Sequence, residues 1–149
     1  MSIEPKIPLL TQIARLRFAR AHSVLASMGL HPSQYSLLLH LSGTSGINQR
    51  ELARQLFIKP ATLTAALRRL EKGGLIEKQL DSSDKRVFRI AISALGKEKL
   101  AIANQKIALL EAQIFQDFSP QERTNFEQLA RRIRDNLLAM AKDEASKCL

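Results

Sequence analysis

A single cysteine, Cys148, is all the thiol this 149-residue chain contains. An internal disulfide is therefore excluded, and a reducing compartment is expected. No apolar run approaches the roughly 20 residues a helix needs to cross a bilayer. The start, Met1-Ser2-Ile3-Glu4-Pro5-Lys6, lacks a basic segment leading into an apolar one, so no secretory signal and a cytoplasmic location are expected. Also missing are a Gly-rich phosphate loop, a nucleophile motif and paired carboxylates, so an enzyme is not expected. His22, His31 and His40 lie nine residues apart, which is neither the i, i+4 spacing of a helical metal pair nor part of a Cys/His cluster. No metal and no cofactor are expected. Internal repeats and low-complexity tracts are absent too.

What is present suffices for a core: 45% of residues are apolar and 25% charged, an ordinary balance for a folded domain with a helical extension. The net charge is +9, and it is unevenly placed. Residues 1–32 carry four Lys/Arg against one acid; residues 33–48 carry no Lys, Arg, Asp or Glu; residues 49–92 carry ten against five. Residues 93–149 carry nine against eight, which is nearly neutral. A polyanion is attracted to such a basic N-terminal part and releases counterions on contact.

Apolar spacing predicts helices over 7–28, from Pro32 to about Gly43, over 49–57, over 60–72, from Ser93 to about Phe118, and from Pro120 onward. Gly29 and Gly73-Gly74 are stop signals, and Pro32, Pro60 and Pro120 suit first helical positions. Asn48 with Glu51, and Ser119 with Glu122, have capping-box spacing. Between the fourth and fifth helices, residues 75–79 and 87–92 have strand character. They flank a polar tip, Asp81-Ser82-Ser83-Asp84-Lys85-Arg86. The expected fold is mainly α with a small β-hairpin wing, a winged helix-turn-helix with N- and C-terminal dimerisation helices. Its parts are a DNA-binding region at 30–96 and dimerisation helices at 7–28 and 97–146. The first and last helices are apolar on broad faces, and pairing two chains is an economical way to bury them.

A helix-turn-helix with a charged hairpin lays one helix in the major groove of double-stranded DNA. If Leu63, Leu67 and Leu70 turn inward, the fourth helix offers Ala61, Thr62, Thr64, Ala65, Arg68 and Arg69 on its other face. Small and hydroxylated residues permit close approach, Thr suits base edges and thymine methyls, and Arg suits guanine or phosphate. For Arg69 an ion pair with Glu71 or Asp81 is the competing role. Lys85 and Arg86 suit the backbone or a narrow minor groove, with Asp84 orienting Arg86. Asn48, Gln49 and Arg50 open the third helix, where backbone N–H groups and side chains hold phosphate.

In order and spacing, these pieces resemble the MarR family of bacterial winged-helix transcriptional regulators. The resemblance rests on Pro32-Ser33-Gln34-Tyr35, Glu51-Leu52-Ala53, Thr62-Leu63-Thr64 and the run Arg69-Leu70-Glu71-Lys72-Gly73-Gly74-Leu75-Ile76. It continues through Asp81, Asp84-Lys85-Arg86, Ile92-Ser93 and Gly96. It implies a homodimer on a pseudo-palindromic operator, often released by a small aromatic or phenolic ligand. The resemblance places the ligand where the first, second and fifth helices meet the winged helix, with Arg15, Arg17 and Arg20 to meet a carboxylate and Tyr35 and His40 to line the cleft. The chain departs from the family pattern at Ala65, where a basic residue is common, at His31, where Thr or Ser caps, and at Ser93, where Thr is common. The competing function is a winged-helix protein-interaction or ligand-binding module without specific DNA binding.

Overall fold

The computed structural model describes residues 8–147, with side chains through residue 141. Ile7, Cys148 and the end of the expected C-terminal dimerisation helix lie outside what it describes in full. The chain divides into two compact units, residues 1–110 and 111–149.

In the first unit, α1 (Leu9–Ala26), α2 (Pro32–Ser42), α3 (Gln49–Leu56) and α4 (Pro60–Lys72) precede the wing, and α5 (Ala94–Ile114), whose last four residues belong to the second unit, follows it. The strands are β1 (Ile47–Asn48), β2 (Ile76–Leu80) and β3 (Phe88–Ile92), in the antiparallel order β1-β3-β2. Leu37, Leu38 and Leu41 of α2, Leu52 of α3, and Leu63, Leu67 and Leu70 of α4 bury one side each. The i, i+4, i+7 spacing on α4 is the reason all three of its leucines meet the same core. Ile47, Ile76, Ile90 and Ile92 complete that core from the sheet, since alternate residues of a strand share a face.

Capping sets the helix starts. The His31 side chain accepts from the Ser33 N–H at 3.2 Å, and the His31 N–H donates to Gln34 Oε1 at 2.9 Å. The histidine thus serves where Thr or Ser is usual. Asn48 Oδ1 accepts from the Glu51 N–H at 2.8 Å and starts α3. At the other end of α3, Phe57 is left-handed with φ 53°, and Ile58 and Lys59 complete the short connection to α4.

The wing differs from expectation by small shifts and one addition. The strands run Ile76–Leu80 and Phe88–Ile92, and the two-residue β1 pairs Ile47 with Ile90 and Asn48 with Arg89. Two residues have no periodicity to read, so only pairing reveals β1.

Where the hairpin returns to the helices, Ser93 is buried. Its hydroxyl donates to the Gly74 carbonyl at 2.6 Å and accepts from the Gly96 N–H at 3.0 Å. Ser93 N–H also donates to the Leu75 carbonyl at 3.0 Å. Gly96 has no room for a side chain: an added Cβ would stand 2.1 Å from the Leu75 carbonyl oxygen.

In the second unit, α6 (Pro120–Lys147) begins with the full capping box the sequence predicts. The Glu122 N–H donates to Ser119 Oγ at 3.2 Å, and the Ser119 N–H donates to Glu122 Oε2 at 2.8 Å. Helix α5 ends at Ile114, short of Phe118. Phe115, Phe118 and Phe126 form a ring cluster in the turn, with Arg123 stacked 5.0 Å above the Phe115 ring. Among the described residues no helix is long and apolar enough to cross a membrane.

Candidate nucleic-acid interface

Turning the three leucines of α4 inward leaves Ala61, Thr62, Ala65, Arg68 and Arg69 exposed and Thr64 half-buried on the same helix. All the positions expected to face DNA on α4 are therefore available, with Thr64 the most enclosed. Arg69 takes neither acid that competes for it: Glu71 accepts from Lys78 Nζ at 2.9 Å, and Asp81 pairs with Arg89.

Helix α3 packs behind α4 and is tied to it by one polar contact. Gln49 Nε2 donates to Thr64 Oγ1 at 2.6 Å, and Thr64 Oγ1 donates to the Pro60 carbonyl at 2.9 Å. Asn48 uses its side-chain oxygen as the α3 cap, whereas Arg50 is exposed. Arg54 and Gln55 both donate to Glu51, and together they hold its carboxyl at about 2, below the usual 4.5.

At the wing tip Asp84 orients Arg86, as its position suggests. Arg86 donates to Asp84 Oδ1 from its backbone N–H at 3.0 Å and from Nε at 3.2 Å. The Arg86 side chain is 91% exposed, so this pairing directs the guanidinium without withdrawing it from solvent. These bonds also hold the Asp84 carboxyl below its ordinary range. Lys85 is exposed beside it.

The base of the tip is built on Asp81, which is 6% exposed. Its Oδ1 accepts from Ser83 Oγ at 2.5 Å, from the Ser83 N–H at 2.8 Å and from the Asp84 N–H at 3.1 Å. Its Oδ2 accepts from Arg89 Nε. The Ser83 hydroxyl and N–H foremost, then Arg89 and the Asp84 N–H, keep this carboxyl well below the usual carboxylate range. Arg89 Nη1 donates onward to the Gly46 carbonyl at 3.1 Å. Sequence reasoning missed Arg89. The only signal for it was an acid eight residues earlier across a hairpin of unknown register.

The residues suggested for an effector cleft are engaged within the fold. Tyr35 Oη donates to Asn104 Oδ1 at 3.0 Å, joining α2 to α5. His40 Nε2 donates to Gln55 Oε1 at 2.8 Å, joining α2 to α3. Arg17 lies exposed on α1 with Arg15 and Arg20. Among the described residues no group of three or more His, Cys, Asp or Glu is placed to hold a metal ion.

Comparison with known proteins bears on the family and the fold. Residues 28–87 match the model of the MarR family. The chain is 33% identical over 104 residues to the uncharacterized HTH-type transcriptional regulator YxaD of Bacillus subtilis, covering 70% of this chain and 73% of that protein. It belongs to the MarR family. Another uncharacterized B. subtilis HTH-type transcriptional regulator, YwoH, is 28% identical over 82% of this chain and 88% of its own length. The crystal structure of MarR superposes with a TM-score of 0.79 at 27% identity, covering 96% of this chain and 99% of that one. Within the MarR fold, then, the exposed face of α4 and the Asp84–Arg86 tip belong to a winged-helix transcriptional regulator.

Proposed function

We propose that this MarR-family chain acts in the cytoplasm as a homodimeric, non-enzymatic repressor on a pseudo-palindromic DNA operator. Residues 30–96 form the DNA-binding region, and residues 7–28 and 97–146 the dimerisation helices. The observation that carries the reading is the pairing, within one compact unit, of a small-residue face on α4 with an exposed arginine held by Asp84 at the wing tip. A helix with Ala61, Thr62, Thr64 and Ala65 at its N-terminal end approaches base edges closely, and Arg68 supplies the longer reach. Lys85 and Arg86 then meet the flanking backbone or minor groove. Asn48, Gln49, Arg50 and Arg69 support phosphate contact at the start of α3 and the end of α4.

Dimerisation is supported by apolar surface that water meets directly. On α1, Leu9, Leu10, Ile13, Leu16 and Phe18 are exposed; on α6, Leu129, Leu137 and Met140 are among the residues more than half exposed. Patches of this kind mark association surfaces. Two recognition helices fixed in one dimer about 34–36 Å apart enter successive major grooves on one face of DNA. A small aromatic or phenolic effector acting near Arg17, Tyr35 and His40 would relieve repression by altering that spacing. To bind there it must compete with the Tyr35–Asn104 and His40–Gln55 bonds.

Ala65 favours a second reading, a winged helix serving proteins or ligands, because a basic residue is missing where it would strengthen DNA contact. Titration of DNA upstream of the protein's own gene and of random duplex, at several salt concentrations, separates the two. Tight, saturable binding of a dimer to one palindromic stretch is expected. Equal, weak binding to both duplexes at every salt concentration favours the second reading. Unchanged operator affinity in the presence of candidate phenols would reject those effectors.

A further inference from the structure

We propose that Arg89 is the positioning residue of the wing. It ties the hairpin to the loop ahead of α3, so that Arg86 and the α3–α4 surface meet DNA as one rigid surface. The proposal rests on the DNA-binding reading above and goes beyond it, because Arg89 is given no contact with DNA.

Three observations carry it. Arg89 bridges two segments far apart in sequence: its Nε donates to Asp81 within the wing, and its Nη1 donates to the carbonyl of Gly46, two residues before Asn48 caps α3. A planar guanidinium makes both bonds at once, whereas an ammonium cannot span them with the same fixed geometry. Asp81 relays the constraint to the tip, since the same carboxylate accepts the Ser83 and Asp84 N–H groups, and Asp84 in turn holds Arg86. The third observation is the fit at Gly46: φ is +116°, and a Cβ there would stand 3.5 Å from Arg89 Cβ. The loop backbone therefore presents its carbonyl to Arg89 in a conformation that side-chain-bearing residues rarely adopt.

The β1–β3 pairing fixes the base of the wing to the start of α3, but without the Arg89 bonds the tip beyond that pairing would wander, and binding would then require ordering it. With the bridge intact that cost is met on folding. Arg89 should therefore be energetically coupled to Arg86, although the two side chains have different partners in the structure.

A double-mutant cycle of Arg86→Ala and Arg89→Met, read as duplex affinity, tests this, with Arg89→Lys as the conservative variant. Arg89→Met is expected to weaken binding about tenfold, with Arg89→Lys intermediate. Adding Arg89→Met to Arg86→Ala is expected to cost less than about twofold more. Multiplying effects would show that Arg89 acts independently of Arg86 and overturn the proposal, as would an Arg89→Met variant with wild-type affinity. A second measurement needs no DNA. Amide hydrogen exchange at Ser83 and Asp84 should quicken in Arg89→Met while Leu63 and Leu67 on α4 keep their protection. Unchanged exchange at Ser83 and Asp84 overturns the proposal. If the wild-type protein binds no duplex at all, the DNA reading falls, and the exchange result alone decides whether Arg89 holds the tip.

Discussion

Gln49 donates to Thr64 across the α3–α4 packing at 2.6 Å, while the Thr64 hydroxyl donates to the Pro60 carbonyl at 2.9 Å. A carbonyl only accepts, so the hydroxyl proton is directed at Pro60 and the amide proton of Gln49 fills one lone pair. Thr64 is thereby left without a donor for a base. On the proposed DNA-binding reading, what it retains for recognition is one lone pair and its methyl group.

That division predicts readout through the methyl. Replacing operator thymines singly by uracil should reveal a position where wild-type affinity falls about fourfold, the worth of one buried methyl. Thr64→Ser keeps the hydroxyl bonds but lacks the methyl, and should be indifferent to that replacement. A serine variant as sensitive as wild type would show that the methyl read at that position is not met by Thr64.

Gly96 should be intolerant of any side chain. The nearest obstacles to a Cβ are the Leu75 carbonyl oxygen at 2.1 Å and Ile92 Cγ1 at 2.8 Å, and the first belongs to backbone. Gly96→Ala should cost about 2 kcal/mol or more, measured as a fall in the urea midpoint at constant slope.

The cap at His31 is open to a simpler test. His31→Ala removes the acceptor for the Ser33 N–H and should destabilise the chain by about 1 kcal/mol, whereas His31→Ser should restore most of that loss. Thermal unfolding of the three proteins at one pH is the measurement.

Acid should loosen α3 and the wing by a common cause. Arg54 and then Gln55 lower the folded-state value of Glu51 from 4.5 to about 2, and Asp81 is lowered chiefly by Ser83. For groups lowered on folding, the stabilisation is complete above the unfolded value and fades as pH falls through it toward the folded one. Stability should therefore hold at neutral pH and decline below about 4.5, with the Glu51 share lost by about pH 2. Glu51→Gln should flatten that part of the acid profile in denaturant titrations, and a profile identical to wild type would exclude Glu51 as its source.

The helices were legible where chemistry punctuates the chain. Pro60 and Gly73-Gly74 bracket α4 at Pro60–Lys72, and Ser119 with Glu122 marks the start of α6. The end of α5 was less so: apolar spacing continues to Phe118, but Phe115 and Phe118 pack on each other in the turn and the helix stops at Ile114. Asp84 and Arg86 could be paired on sequence because they lie two residues apart. Arg89 could not, because its partners Asp81 and Gly46 become neighbours only once β3 pairs on both sides. Local spacing encodes helix caps and tip contacts, whereas a bridge between segments exists only in the register.

Ser93 gives the first turn of α5 no slack. One hydroxyl holds the Gly74 carbonyl just past the end of α4 and the amide at the beginning of α5, with Gly96 seated against the backbone of Leu75. In mechanical terms this is a rivet through two levers. A load that tilts the beginning of α5 arrives at Gly74 and Leu75, just past the end of α4, through the short Ser93 hydroxyl and the Ser93 N–H rather than through long, compressible side chains.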